Sequence, residues 1–287
     1  MKQFNFNRFS QALKCQFMVT RKWWMVLFGI YTFILFMANL FFTRLNMNYS
    51  YWVENMPMNE VYHTYNSHVE QTVAFGIFFF CIAMLFAASS IFSQMKDTRK
   101  RSAYLLWPVT NLEKYIVSFL LSFVLMAFLT VGAYVLADTL RVFVDWMTGR
   151  VIIWGIPKLS DPFTAVDGPF EYWQMVWMLF NWIFYSHSLY ILGGTLFRRQ
   201  QFLLTSVTII VVAILLIIAL NQIDWNSNHV DFISTIWDEK TSTYNNIFHP
   251  SFYIINSVAS LLTVFHYWAS YKLFTRVQVI NNKWLNV

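Results

Sequence analysis

Six runs of about twenty residues, 23–42, 72–92, 115–137, 173–197, 202–220 and 252–271, have no Asp, Glu, Lys or Arg in their interiors. At about 1.5 Å of rise per residue, each helical run covers the roughly 30 Å hydrocarbon core of a bilayer. Only helices and closed barrels satisfy their backbone hydrogen bonds in lipid, and a barrel would show alternating strands of about ten residues instead. The pattern predicts an all-α integral membrane protein of six transmembrane helices, with a transmembrane domain over 23–273 and a tail over 274–287.

The stretch 1–22 reads differently. Phe6, Phe9, Leu13 and Phe17 recur at three- and four-residue steps, with Arg8, Gln11, Lys14 and Arg21 between them. That spacing predicts an N-terminal amphipathic helix lying at the membrane interface; a disordered basic tail is the alternative. No cleavable signal is read there, since the first apolar run is a full-length span followed by five more.

Charge orients the spans. With the N-terminus inside, fifteen of the twenty Lys and Arg fall in inner segments, while twelve of the fourteen acids fall in outer ones. Such a bias places both termini in the cytoplasm of a multi-pass protein. Composition agrees, with 57% hydrophobic and 12% charged residues against about a quarter charged in soluble domains. The net charge of +6 is then a topology signal at span ends, so no nucleic-acid partner is expected. Cys15 and Cys81 have neither metal-site spacing nor an evident partner.

Three segments of about thirty residues, 43–71, 138–172 and 221–250, connect the spans on the outer side. Trp146, Trp154, Trp225 and Trp237 are expected to anchor short helices there, where indole rings settle at headgroup depth; recognition of an exported molecule is the other reading. On the inner side 93–114 is long and charged, whereas 198–201 is a four-residue link.

Little in the chain suggests chemistry of its own. A Walker lysine loop, a Gly-x-Ser-x-Gly elbow and a His-Glu-x-x-His helix are all missing. His187 and His266 lie at membrane depth with Asn181 and Asn256, either along a pathway or as packing groups; two histidines on a lipid substrate would make a membrane-embedded enzyme. Carboxylates are absent from the predicted spans, and ion-coupled carriers keep charge inside the bundle. Transport would therefore draw its energy from a separate cytoplasmic ATPase. Within 93–114, Pro108 ends whatever helix precedes it, and Asn111 and Glu113 suit the start of the third span. That leaves 95–106 as a short basic and apolar segment a partner could grip, or else a solvated positive-inside loop.

The run Ser93 to Lys114, with its Lys/Arg cluster, Tyr104-Leu105-Leu106-Trp107-Pro108 and Asn111-Leu112-Glu113-Lys114, resembles the cytoplasmic connection of type 2 ABC-transporter permeases of Bacteroidetes. Leu192-Gly193-Gly194-Thr195-Leu196-Phe197-Arg198-Arg199 with Phe202 resembles their junction between spans four and five. Asn5-Phe6-Asn7-Arg8-Phe9 and Leu13-Lys14 fit their start. Val109-Thr110, where small Ala-Ser is usual, and Tyr115 for Phe depart from the pattern, as do the longer, Trp-rich outer loops.

The resemblance implies a permease subunit of an ABC exporter in a bacterial inner membrane, paired with a second permease chain and surrounded by membrane lipids. Its coupling helix would dock on a cytoplasmic ABC ATPase through Met95, Lys96, Asp97, Arg99, Lys100, Arg101, Tyr104 and Glu113. ATP and Mg would belong to that partner, with no cofactor, metal or catalytic residue in this chain. The substrate would be amphipathic, lipid-like, a peptide or a drug. A noncatalytic scaffold or sensor is the alternative from another class.

Overall fold

The computed structural model describes residues 4–45, 49–92, 102, 104, 106–159, 172–197, 200–222, 233–238 and 243–276. In chain order these form α1 (Phe6–Leu40), a π turn (Phe41–Leu45), α2 (Tyr49–Asn55), α3 (Met58–Ser89), α4 (Asn111–Leu120), a second π turn (Leu121–Leu125) and α5 (Met126–Met147). A 3₁₀ turn (Pro157–Leu159), α6 (Tyr172–Leu196), α7 (Gln201–Gln222), strands β1 (Ile233–Asp238) and β2 (Thr243–Phe248), and α8 (Pro250–Arg276) follow. Among the described residues the regular structure is helical apart from that one hairpin.

All six apolar runs lie on helices. Among the described residues five helical segments are long and apolar enough to cross a membrane: Phe6–Arg44, Met58–Ser89, Asn111–Met147, Gln201–Ala219 and Pro250–Arg276. This is the make-up of a multi-pass membrane protein. α6 is not among the five. Its 25 residues would reach across a bilayer, but Asn181, Ser186, His187 and Ser188 lower its hydropathy.

Three boundaries differ from the sequence reading. The interfacial helix expected over 1–22 and the first span are one uninterrupted helix, because no Pro or Gly breaks Arg21-Lys22-Trp23-Trp24. Over its part up to residue 22 the buried positions are Ala12 and Gln16, flanked by half-buried Phe9, Leu13 and Thr20, while Phe6 and Phe17 are exposed. α3 begins fourteen residues before 72, and α5 continues ten residues past 137; residues assigned to outer loops are helical. In the third outer segment β1 and β2 pair antiparallel, Ile233 opposite Phe248 and Asp238 opposite Thr243. Ile, Thr, Tyr and Phe are strand formers, which is why Trp237 lies on a strand. Trp146 lies on α5, Trp154 lies in the extended stretch after it, and Trp225 falls outside the described residues.

The chain forms two compact units, one of 1–9, 85–122 and 166–287, the other of 10–84 and 123–165. In the first, α6 packs along α8, and Ala88, Ile91, Phe92, Tyr104, Tyr115, Ile191 and Phe274 make the core. Phe92 and Phe274 stack at 4.6 Å between ring centres. α6 also comes very close to the end of α3: a Cβ on Gly194 would stand 2.5 Å from the Ser89 carbonyl oxygen. In the second unit Tyr65, Val69 and Ile153 form a core with Tyr49, Trp52 and Val151 against it.

The approach at Gly194 gives a measurable consequence. Gly194→Ala should lower the thermal stability of the detergent-solubilised protein by about 1–3 kcal/mol through overpacking. Gly29→Ala, where nothing lies within 4 Å of the added Cβ, should instead be neutral or gain up to about 1 kcal/mol of helix propensity.

Candidate functional site

Three groups of polar side chains stand out, two in the first unit and one in the second. The first surrounds the start of α4. Thr110 caps this helix, its hydroxyl accepting from the Glu113 N–H at 3.3 Å while the Glu113 carboxylate accepts from the Thr110 N–H at 2.8 Å. This reciprocal capping box satisfies two amides that the first helical turn leaves unpaired. The same carboxylate accepts from the Asn5 N–H at 2.8 Å and from Arg8 Nη2 at 3.1 Å. Asn5 in turn caps α1, its Oδ1 accepting from the Asn7 and Arg8 amides. One wholly buried glutamate therefore joins the N-termini of two helices.

Tyr104 sits beside this node. Its ring lies under the Lys114 ammonium at 5.7 Å, and its hydroxyl shares a 3.1 Å hydrogen bond with Ser118. Burial pushes the Tyr104 phenol up to about 12, against the opposing effect of the Ser118 bond. Tyr104 and Glu113 were expected to meet a partner, yet both are buried among this chain's own residues. Their place is inside the support of the loop. Met95, Lys96, Asp97, Arg99, Lys100 and Arg101 lie outside the described residues. In the described part of the loop Leu106 is 82% exposed, and a groove of about 530 Å³ is lined by Phe4, Tyr271 and the stretch from Trp107 to Leu112.

The second group is a polar seam between α6 and α8. Asn181 Nδ2 donates to the Asn256 carbonyl at 2.8 Å and to Asn256 Oδ1 at 3.2 Å, and the Ser260 hydroxyl donates to Asn181 Oδ1. Farther along, His187 Nδ1 lies 2.9 Å from the Tyr267 hydroxyl and His266 Nδ1 lies 3.1 Å from Ser188 Oγ. The structure thus brings all four residues to one interface, but each histidine is bonded to a different partner. Ser188 is wholly buried and donates its proton to the Tyr185 carbonyl. This geometry ties two helices together; apolar packing alone drives association weakly between helices in lipid, where interhelical hydrogen bonds contribute about 0.6–2 kcal/mol each.

Sequence reasoning missed the third group. Arg141 on α5 is wholly buried between Asp138, one turn before it, and Asp145, one turn after. Its Nε and Nη2 donate to Asp138 Oδ1, Nη2 also to the Ile153 carbonyl, and Nη1 to Asp145 Oδ2 and the Tyr65 hydroxyl. All five N–H donors of the guanidinium are engaged. The second oxygen of Asp138 accepts from the Gly155 and Ile156 amides at 2.9 and 3.2 Å. Asp145 accepts from Tyr65 and from Arg44 Nη2, the latter at 3.1 Å. Gly155 suits this close approach: a Cβ there would stand 2.7 Å from the Tyr134 hydroxyl and 3.2 Å from Asp138 Oδ1, so one of them would have to shift.

Asp138 and Asp145, which the sequence reading leaves in the outer loop after the third span, are instead buried on α5 and paired with Arg141 and Arg44. The signal was available in Asp138-x-x-Arg141-x-x-x-Asp145, which puts three charges on one helical face. Two acids and two arginines balance, leaving no net charge to bind an ion. Among the described residues no group of three or more His, Cys, Asp or Glu could hold a metal. No family model, curated protein or solved structure matches the chain.

Breaking a buried pair from one side leaves the other charge uncompensated. Arg141→Met and Asp138→Asn should each destabilise the protein by about 3–5 kcal/mol, read as a lower unfolding temperature and loss of the monodisperse peak on size exclusion. Lys158→Ala, which removes an ion pair to the exposed Glu70, should shift stability by no more than about 1 kcal/mol.

Proposed function

We propose that this chain is the membrane-spanning permease subunit of an ABC exporter, with six spans and both termini on the cytoplasmic side of a bacterial inner membrane. A separate cytoplasmic ATPase grips the 93–114 loop and supplies the energy from ATP and Mg. Two permease chains and two ATPases make the working unit, and the substrate is amphipathic: lipid-like, a peptide or a drug.

The observation that carries this reading is the anchorage of the loop's second arm. Force applied at 93–106 passes through Tyr104 into Lys114 and Ser118, and through the Thr110–Glu113 box into α4 and the start of α1. A loop that only met solvent would not need its tyrosine and glutamate buried. The basic cluster Lys96, Arg99, Lys100 and Arg101 has the charge to meet an acidic partner surface, and Leu106 with the adjoining groove adds an apolar contact. The α6–α8 seam keeps Asn181, His187, Asn256 and His266 bonded to neighbours, so their role is to hold the helices rather than to carry chemistry.

Reversing charge at Arg99, Lys100 and Arg101 to Glu should abolish co-purification of the ATPase in mild detergent and ATP-driven transport in vesicles, with the permease still folded. Unchanged association and flux in that triple variant would overturn the docking assignment.

A further inference from the structure

The second π turn, Leu121–Leu125, interrupts what is otherwise one apolar helix from Asn111 to Met147. A π turn bonds i→i+5 instead of i→i+4 and so holds one residue more than an α-helical turn; it is rare, and inside an α-helix it frequently marks a functional position. Its sequence, Leu-Ser-Phe-Val-Leu, contains no Pro or Gly to force the helix open. The turn also lies where the chain leaves the first unit, at residue 122, and enters the second, at 123. α3 makes the same passage between 84 and 85 as unbroken α-helix, so the passage by itself does not call for a π turn.

The two halves of this helix are held differently from the stretch that joins them. On α4 the Tyr115 hydroxyl donates to the Tyr267 carbonyl at 3.3 Å, Ser118 meets Tyr104, and the Phe119 ring stands edge-on to those of His187 and Tyr267, each at 5.6 Å. On α5 Arg141 is bonded to Tyr65 and to the Ile153 carbonyl. Between Phe119 and Ala133 the hydroxyls are those of Ser122 and Thr130, and both turn back to carbonyls of their own helix, Phe119 and Met126. Hydroxyls used in this way, with local π adjustments, keep backbone groups satisfied where the ladder of a helix in lipid is disturbed. Moving a π turn along a helix exchanges i→i+4 for i→i+5 bonds without losing any, and the residues it passes change face by about 100°.

We infer that Leu121–Leu125 is a joint built into the 111–147 helix, at which α4 turns and tilts together with the 93–114 loop. The inference rests on the exporter reading for what moves α4, and goes beyond it by naming where the movement is taken up. Tyr104 and Glu113 fasten the loop's second arm to α4, so a displaced loop carries α4 with it. Arg141, with all five donors engaged, holds α5. Whatever yields must lie between these two fastenings, and among the described residues the π turn is the one interruption of the α-helical ladder there. Val124, 38% exposed, leaves the turn room on one side.

The test uses the full chain in lipid nanodiscs, with the exposed Cys15 and Cys81 replaced by Ser, and its first arm needs no ATPase. Spin labels at Leu112→Cys and Phe128→Cys lie sixteen residues apart across the joint; labels at Val131→Cys and Met147→Cys lie equally far apart within α5, and all four positions are exposed. Pulsed EPR should give the first pair a distance distribution about twice as wide as the second, the static record of a helix that occupies more than one arrangement. Deleting Val124, which removes the extra residue, should narrow it to the width of the control pair. Equal widths in the undeleted chain overturn the inference, whether or not the deletion variant folds. In the second arm, in vesicles with the ATPase that co-purifies with the chain, the deletion variant should keep ATPase association and lose ATP-driven transport about tenfold, as expected when a gating motion is blocked, while Val124→Ala keeps both. Transport retained by the deletion variant overturns the joint and leaves the turn a packing adjustment. A wide first pair that the deletion narrows, with no ATPase co-purifying, rejects the exporter reading and leaves the joint standing.

Discussion

The guanidinium of Arg141 is the point on which the second unit turns. Burying one cation without partners costs several kcal/mol even after relaxation, so its five donors set where everything around it must be. Asp138 and Asp145 take it from the same helix, Tyr65 from α3, and the Ile153 carbonyl from the segment after α5. That one set of bonds turns a stretch read as a loop into a helix with its following strap folded back.

The first unit is organised by the same rule with a different ion. Glu113 is buried, and three donors, the Asn5 and Thr110 amides and the Arg8 guanidinium, compensate it. Hydrogen bonds to charged groups contribute about 1.5–3 kcal/mol each, more than the neutral bonds along the α6–α8 seam.

How much of this was legible followed from the length scale of each signal. Apolar runs of twenty residues are read from composition alone, and all six fell on helices. The start of α4 was also readable, because Asn111 and Glu113 mark a cap whose hydroxyl comes from Thr110. What failed was the habit of assigning charge to water. Asp138, Arg141, Asp145, Tyr104 and Glu113 are read as loop or docking residues because isolated charges and phenols prefer solvent, and the burial of Arg141, Asp145 and Glu113 draws on partners seventy or more residues away, such as Tyr65 and Asn5. The unbroken junction between the expected interfacial helix and the first span escaped for the opposite reason: nothing in Arg21-Lys22-Trp23-Trp24 stops a helix.

The four-way bonding of Arg141 also limits how this protein can change over time. Exchanging Asp138, Asp145 or Arg141 one at a time passes through a form with an orphaned charge in a dry interior, so drift at these positions must proceed by coordinated replacement, most readily of the whole set by apolar residues of similar volume. Lineages descended from this chain should divide into those that retain the charged trio intact and those that have lost it entirely, with few intermediates between.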